Sequence, residues 1–403
     1  MVKAAILGIG TVGGGTAQVL TKNRELIARR AGKEIELKYI LCRRPRPDHP
    51  FADLIVHDIG AVVADPEITV VAECIGGATL AYEYDRACLE AGKNVVTSNK
   101  ELVAAHGMEL TALARSKGVN FLFEGAVGGG IPILRPLCQC LAGNEISSVT
   151  GILNGTTNYI LTEMILFGKS FETALKEAQE KGYAELDPTA DVEGIDAGRK
   201  TCILADLCFG KNVAPEDISM KGISHIAPAD IEYARAVGCK IKLLGRAIRT
   251  GPNNVTAFVE PHLINKSQQL ANVDGVMNGI VVKGDAIGEA MFFGPGAGAL
   301  PTASAVVGDI IDCVRDPSTR EYLGWWPSEK GYVQSPDFLS SRWMARVAAP
   351  LTAIGAAFGN PRFITASSAP AGEYAFVTDY MTLADIREKT EGMEVRALYR
   401  ILD

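Results

Sequence analysis

The chain has 403 residues, of which 47% are hydrophobic and 22% are charged, and its formal net charge is -7. This composition is typical of a globular protein with room for two or three domains, and it excludes an intrinsically disordered chain. The negative charge and the lack of long basic runs argue against nucleic acid as a partner. No apolar stretch is long enough to cross a bilayer, and the N-terminus lacks the pattern of a signal peptide, so we expect no membrane partner.

The nine cysteines are scattered along the chain and include no Cys-x-x-Cys pair. Zinc sites and disulfide frameworks both show characteristic spacings, so neither is predicted. Reduced thiols that act as small core residues fit a cytoplasmic location.

The first elements of the chain predict a Rossmann dinucleotide-binding domain. An apolar strand over residues 2–7 precedes the pattern Gly-x-Gly-x-x-Gly, and a helical run over residues 16–30 follows it. Gly8 allows a tight turn, Gly10 lets the backbone approach a pyrophosphate, and Gly13 lets helix and strand pack closely. Free N–H groups at the helix start add an anion site. The predicted cofactor-binding residues of this turn are Gly8, Gly10, Thr11, Val12 and Gly13.

The end of the next strand, over residues 35–41, indicates which dinucleotide binds. An acidic residue there would bind the ribose 2'-hydroxyl of NAD, whereas an arginine accommodates the 2'-phosphate of NADP. This strand ends in Cys42-Arg43-Arg44. Arg43 and Arg44 therefore favour NADP, with NAD as the second choice and a solvated basic loop as the alternative interpretation.

Three further strands, over residues 70–75, 94–97 and 121–124, alternate with helices, one of them over residues 80–91. Short apolar strands of this kind are typical of a sheet that helices cover on both faces. Open α/β sheets bind ligands at the carboxyl ends of their strands. We therefore expect Thr97, Ser98 and Lys100 near the nicotinamide.

Residues 181–200 hold five acids before Lys200, and an apolar run follows. If a helix begins near Val192, Asp196 and Lys200 lie four residues apart on one face, so that the acid can hold the ammonium group. A lysine fixed in this way can orient and protonate a small polar substrate. An exposed, salt-bridged helix start is the alternative interpretation.

The remaining sequence predicts a second sheet and a C-terminal tail. A strand, a turn and a helix start occupy residues 148–162, and the further strands are predicted over 221–226, 240–249 and 254–260. An apolar helix is predicted from the Gly-Pro-Gly-Ala-Gly segment at 294–298 to about Val314. In the tail, the predicted order is strand 342–348, helix 351–358, strands 362–367 and 373–378, helix 383–391 and strand 395–402.

Six segments, in the same order, resemble the homoserine dehydrogenase family, and they span residues 1 to about 318. They are Gly-Ile-Gly-Thr-Val-Gly-Gly-Gly (8–15), Thr-Ser-Asn-Lys-Glu (97–101), Glu-Gly-Ala-Val-Gly-Gly-Gly-Ile-Pro (124–132), Gly-Ile-Leu-Asn-Gly-Thr-Thr-Asn-Tyr-Ile (151–160), the acidic segment at 181–200 and Gly-Pro-Gly-Ala-Gly (294–298). The resemblance implies reversible, NAD(P)H-dependent reduction of L-aspartate 4-semialdehyde to L-homoserine in threonine and methionine biosynthesis. Two other interpretations are a catalytically silent nucleotide- or amino-acid-binding protein and a dehydrogenase for another small aldehyde.

The resemblance also implies an α/β architecture with several parts. These are an N-terminal Rossmann domain (1–133), an α+β catalytic and dimerisation domain (134–293), a helix that returns to the nucleotide domain (294–320) and an ACT-like βαββαβ domain (341–403). The catalytic sheet would help to form a homodimer or homotetramer. An ACT-like tail implies threonine as an effector. However, Ala349-Pro350-Leu351 stands where the family usually has glycine after proline, so a structural or oligomerising tail stays open.

The matching positions imply roles for individual residues. Lys200 resembles the acid/base lysine and Lys100 the second lysine of the site, and either could donate the proton while the other polarises the carbonyl. Asp196 would organise these lysines. The implied substrate-binding residues are Glu185, Asp191, Gly155, Thr156 and Tyr183. Backbone carbonyls of Glu124, Val127, Gly129 and Ile131 would bind a monovalent cation, sodium in particular, and Gly298 would contact the cofactor.

Overall fold

The N-terminal part of the chain forms a six-stranded parallel sheet in the computed structural model, which describes residues 1–366 and 370–402. The strand order is β3-β2-β1-β4-β5-β6, the doubly wound order of dinucleotide-binding domains. Apolar strand residues such as Ile6 and Val71 are fully buried, as a covered parallel sheet requires. The elements are β1 (Val2–Leu7), α1 (Thr11–Lys22), α2 (Arg24–Ala31), β2 (Ile35–Leu41), β3 (Ile55–Val56), α3 (Gly60–Val63), β4 (Ile68–Glu73), α4 (Thr79–Glu90), β5 (Asn94–Thr97), α5 (Lys100–Ser116) and β6 (Phe121–Leu122).

A second, mixed sheet follows, and its strands run in the order β12-β11-β7-β9-β10-β16-β13-β15-β14, with β8 paired to β10. Most neighbours are antiparallel, whereas β10 runs parallel to β8 and to β16. The elements up to residue 315 are β7 (Ile146–Ile152), α6 (Gly155–Phe167), α7 (Phe171–Glu180), α8 (Thr189–Val192), α9 (Ile195–Phe209), β8 (Ser219–Met220), α10 (Pro228–Ala236), β9 (Cys239–Gly251), β10 (Asn254–Asn265), β11 (Met277–Gly284), β12 (Gly288–Pro295) and α11 (Ala299–Arg315).

The C-terminal tail continues this second sheet. Its elements are β13 (Trp343–Ala348), α12 (Leu351–Phe358), β14 (Arg362–Ile364), β15 (Tyr374–Val377), α13 (Leu383–Lys389) and β16 (Glu394–Leu402). Arg400 on β16 is buried, and its Nε donates a hydrogen bond to Oε1 of Glu260 on β10 at 2.7 Å. Its guanidinium also lies 4.1 Å from the ring centre of Trp343. A buried arginine therefore joins the tail to β10 of the second sheet.

Helix α11 returns the chain to the first sheet and packs on α1. The approach is close at Gly15, where a Cβ would lie 2.6 Å from the carbonyl oxygen of Ala299. Only glycine at this position lets the two helix backbones come so near. None of the helices in the described ranges has the length and apolar character that crossing a membrane requires.

The predicted α/β fold is confirmed, and several element predictions need correction. The first helix begins at Thr11 rather than Thr16, and a break at Asn23 divides it into two. No strand occupies residues 221–226, which form turns beside the short strand β8. The strand predicted over 121–124 ends at Leu122. Part of the predicted tail domain, residues 367–369 and 403, lies outside the described residues, including the last residue of the strand predicted over 362–367.

Candidate active site

The glycine turn after β1 leaves open space at the start of α1. Gly8 has a φ of 99°, and a Cβ on Gly13 would lie 2.0 Å from the carbonyl oxygen of Gly8. Both positions therefore require glycine. Among the described residues, apart from Gly10 and its chain neighbours, no atom lies within 4 Å of the position that a Cβ on Gly10 would occupy. This space adjoins the first N–H groups of α1, including those of Thr11 and Val12, where an anion is stabilised.

Two cavities border this turn at the carboxyl ends of the first sheet. One, of about 630 Å³, is lined by Ile9, Gly10, Cys42, Arg43, Arg44, Arg46 and Ile75. The other, of about 310 Å³, shares Gly10 and Ile75 and is also lined by Thr11, Val12, Gly76, Gly77, Ser98, Asn99, Lys100 and Glu101. The arginine triplet and Lys100 thus lie at the two ends of one cleft.

Thr97 was expected beside the nicotinamide, but its side chain is fully buried. Its hydroxyl donates a hydrogen bond to Oε2 of Glu73 at 2.6 Å, so Ser98 rather than Thr97 lines the cleft. Oε1 of Glu73 accepts hydrogen bonds from the backbone N–H groups of Ile75 and Gly76 at 2.5 and 3.3 Å. Sequence reasoning missed Glu73 because it is the last residue of a buried strand, and its position there does not indicate that the carboxylate turns back onto its own loop.

The centre of the site is a carboxylate that binds two lysines. Asp196 and Lys200 lie on α9, and Nζ of Lys200 donates to Oδ2 of Asp196 at 2.7 Å. Nζ of Lys100, at the start of α5, lies 2.7 Å from Oδ1 of the same carboxylate. Lys200 also donates to the Leu153 carbonyl oxygen at 2.7 Å. The predicted one-face arrangement of Asp196 and Lys200 is confirmed, although the helix begins at Ile195 rather than Val192.

The two lysines have different electrostatic surroundings. The Lys200 side chain is 9% exposed, and burial, assisted by the charge of Lys100, lowers its pKa against the opposing effect of Asp196. The Lys100 side chain is 38% exposed; burial also acts to lower its pKa, but the nearby carboxylates, chiefly Asp196, outweigh burial and raise it. Burial would raise the pKa of Asp196, but the two ammonium groups outweigh burial and hold that pKa far below its usual value.

The side chain of Asn154 connects the cluster to the next carboxylate. Its Nδ2 donates to Oδ1 of Asp191 at 2.7 Å and to Oδ2 of Asp196 at 2.9 Å. Its Oδ1 accepts the N–H of Thr157 at 2.8 Å and caps helix α6. Burial is the main cause that raises the pKa of Asp191. Asn154 therefore caps a helix and orients two acids with the same side chain.

The other predicted substrate residues lie on α6 and on the loop before α8. Gly155 has room only for a hydrogen, since a Cβ would lie 2.7 Å from the Val276 carbonyl oxygen. The Thr156 hydroxyl donates to the Tyr183 carbonyl oxygen at 2.6 Å, which ties the loop to the helix. Tyr183 is 45% exposed. Glu185 is also exposed, and its carboxylate makes no hydrogen bond or ion pair with the described residues, so it does not join the Asp191–Asp196 cluster.

The loop predicted to bind a cation lies between β6 and β7. The Glu124 carboxylate accepts three backbone N–H groups, from Ile133, Leu134 and Arg135, at 2.7 to 2.8 Å. This carboxylate is therefore fully engaged in holding the loop. The carbonyl oxygens of Val127, Gly129 and Ile131 accept no hydrogen bond from the described residues. A Cβ on Gly129 would lie 2.5 Å from the Gly296 carbonyl oxygen, so the loop packs against the Gly-rich segment that ends in Gly298.

Comparison with known proteins assigns both halves of the chain to one protein family. A family model described as homoserine dehydrogenase, NAD binding domain, matches residues 8–124, and one described as homoserine dehydrogenase matches residues 132–311. The homoserine dehydrogenase of Pseudomonas aeruginosa is 50% identical over 79% of this chain and 74% of its own length. That of Bacillus subtilis is 40% identical over 86% of this chain and 81% of its own length.

Solved structures extend the similarity to the tail. The structure of a homoserine dehydrogenase from Thiobacillus denitrificans has a TM-score of 0.91 and 36% identity, and the match covers 100% of this chain and 98% of the other. A hyperthermophilic archaeal homoserine dehydrogenase in complex with NADPH has a TM-score of 0.68 and 27% identity over 79% of this chain and 99% of its own. The chain therefore belongs to the homoserine dehydrogenase family, whose enzymes reduce L-aspartate 4-semialdehyde to L-homoserine reversibly with NAD(P)H.

Proposed function

We propose that the Lys100–Asp196–Lys200 cluster carries the reduction of L-aspartate 4-semialdehyde, with Lys200 as the proton donor and Lys100 as the group that polarises the carbonyl. The observation that carries this proposal is one buried carboxylate bound to both ammonium groups at 2.7 Å, at the mouth of the cofactor cleft. When bound, the nicotinamide supplies the hydride for the aldehyde carbon. The carbonyl oxygen then gains negative charge, which an adjacent ammonium stabilises and protonates.

The different surroundings of the lysines support this division of roles. An ammonium with a lowered pKa is the stronger acid, and burial lowers the pKa of Lys200. Lys100 has a raised pKa and lines the cleft, so it stays charged beside the carbonyl. In the reverse direction, neutral Lys200 accepts the proton of the homoserine hydroxyl. Asp196 holds both lysines and takes no proton itself, because its pKa is held far below the working range.

We also propose how the substrate's own ammonium group is bound. Asp191 lies beside the cluster through Asn154, so its carboxylate is available to pair with that group. Glu185, on an exposed loop, would complete the pairing when substrate is present. Gly155, Thr156 and Tyr183 would form the wall of the pocket around the substrate carbon chain.

For the cofactor we propose a preference for NADP, because Arg43 and Arg44 border the cleft at the end opposite Lys100 and an arginine suits a 2'-phosphate. Gly298 would contact the same cofactor. We further propose a sodium ion on the carbonyl oxygens of Glu124, Val127, Gly129 and Ile131. The unengaged carbonyls support this, since hard cations prefer oxygen ligands.

The remaining proposals concern assembly, regulation and location. The open face of the second sheet carries a cavity of about 500 Å³, lined in part by Thr150, Arg246 and Met291, which supports a homodimer or homotetramer formed through this face. The contacts of buried Arg400 support a structural role for the ACT-like tail. Threonine is the effector that this tail would bind if it also regulates the enzyme. Nine free cysteines support a cytoplasmic location.

The role of Lys200 predicts a large loss of rate in one variant. Lys200→Ala should lower kcat by about a hundredfold or more, as expected for loss of a general acid. Lys176→Ala, which removes an exposed lysine on α7, is the matched control and should keep the wild-type kcat. Steady-state rates of homoserine oxidation measure both. An unchanged kcat in Lys200→Ala, with folding verified by circular dichroism, would remove Lys200 from the chemistry.

The lowered pKa of Lys200 predicts opposite pH dependences for the two directions. Reduction needs the ammonium, so its kcat should fall as pH rises through the Lys200 pKa, below the usual lysine value of 10.5. Oxidation needs the neutral amine, so its kcat should rise over the same interval. In Lys200→Arg the side chain stays protonated, and the rise should vanish. Parallel pH profiles in the two directions would contradict the assignment.

The arginine pair predicts a cofactor-specific effect. Arg43→Ala should weaken NADPH binding about tenfold, as for loss of one charge-assisted hydrogen bond, and should change NADH binding much less. Arg24→Ala, an exposed arginine on α2 paired with Glu34, controls for the change in net charge. Fluorescence titration gives the two Kd values. Equal losses for both cofactors would assign Arg43 to general phosphate binding or to structure.

A further inference from the structure

The Glu73 carboxylate joins two loops that border the nicotinamide end of the cleft. Its Oε1 accepts the N–H groups of Ile75 and Gly76, which begin the loop after β4. Its Oε2 accepts the hydroxyl of Thr97, at the end of β5. Glu73 is fully buried, and three donors to one carboxylate fix its position.

The hydrogen bonds continue from Thr97 to the helix that carries Lys100. The Thr97 oxygen accepts the N–H of Asn99 at 2.9 Å. Nδ2 of Asn99 donates to the Gly77 carbonyl oxygen at 2.7 Å, which closes a ring between the two loops. Its Oδ1 accepts the N–H of Leu102 at 3.2 Å and caps α5, whose first residue is Lys100. A connected set of bonds thus runs from a buried carboxylate to the start of the lysine-bearing helix.

We propose that Glu73 is a positioning residue for this reaction: through Thr97 and Asn99 it sets the separation of the loops over residues 75–77 and 98–99 and the orientation of the start of α5. Both loops line the cofactor cleft, so the width of the nicotinamide site depends on this ring. The second part, the orientation of Lys100, rests on the role proposed above for that lysine. A displacement of about 1 Å at a reacting group is enough to lower a rate about a hundredfold.

Thr97 offers the sharpest test, because one hydroxyl makes the connection between the loops. Thr97→Val keeps the shape and removes the hydroxyl, whereas Thr97→Ser keeps the hydroxyl. Thr111→Val is the matched control: Thr111 is buried on α5, the helix that follows Thr97, and its hydroxyl has no hydrogen-bond partner among the described residues. NADPH binding by fluorescence and the separate kcat and KM values for NADP and homoserine are measured for each variant.

The proposal predicts a specific pattern. Thr97→Val should weaken NADPH binding and lower kcat, each about tenfold. The KM for homoserine should change less, because Gly155, Thr156 and Asp191 of its proposed pocket lie on α6 and α8, outside the ring. Thr97→Ser should recover both values to within about twofold, and Thr111→Val should match the wild type. A loss of active protein alone would lower kcat and leave every KM unchanged. That result, or a Thr97→Ser variant as impaired as Thr97→Val, would overturn the proposal.

A second variant and a separate measurement keep the proposal testable if Thr97→Val does not fold or if the proposed role of Lys100 fails. Glu73→Leu removes both acceptor oxygens at similar size, so it breaks the bonds to Ile75, Gly76 and Thr97 together and should weaken NADPH binding in the same direction even if Thr97→Val does not fold. Unchanged NADPH binding in folded Glu73→Leu would contradict the proposal. If Lys100→Ala keeps its kcat, the proposed role of Lys100 fails, whereas NADPH binding measured without substrate still tests the coupling of the loops.

Discussion

Asp196 accepts a hydrogen bond from Lys200 and pairs with Lys100 through its other oxygen, so that one buried carboxylate holds two ammonium groups. Removing one partner of a buried ion pair costs about 3–5 kcal/mol, because the other charge is left without compensation. The three groups therefore hold one another in place. Under the proposed mechanism, both ammonium groups lie beside the point where the carbonyl oxygen of the substrate gains negative charge during reduction.

The fold supports this arrangement because a helix beside the first sheet contacts a helix that packs on the second sheet. Lys100 begins α5, which belongs to the nucleotide sheet, and Asp196 lies on α9, which packs on the second sheet. The neighbouring residues form a second ion pair, from Arg199 to Glu101 at 2.6 Å. Two adjacent ion pairs thus join the same two helices. The cleft beside the glycine turn and the Lys100–Asp196–Lys200 cluster meet at this contact, because Lys100 belongs to both.

Much of this could be predicted from the sequence, because its strongest signals are local. The glycine pattern over residues 8–13 specifies a turn and a helix start, and the spacing of Asp196 and Lys200 specifies one helical face. Contacts between distant segments have no such signal. The pairing of Lys100 with Asp196, the Leu153 carbonyl that binds Lys200, and the Glu73–Thr97 hydrogen bond all depend on how the elements pack. For the same reason, local sequence did not indicate that Glu185 stays exposed or that the tail continues the second sheet.

The central claim is that Asp196 acts on the reaction through the lysines it holds. A double-variant cycle of Asp196→Asn and Lys200→Ala, read as kcat for homoserine oxidation, tests it most directly. Residues that act as one unit are strongly non-additive, so each single variant should lose most of the rate and the double variant should be within about threefold of the slower single variant. Effects of the two substitutions that multiply would show that Asp196 and Lys200 contribute independently, and would contradict the account.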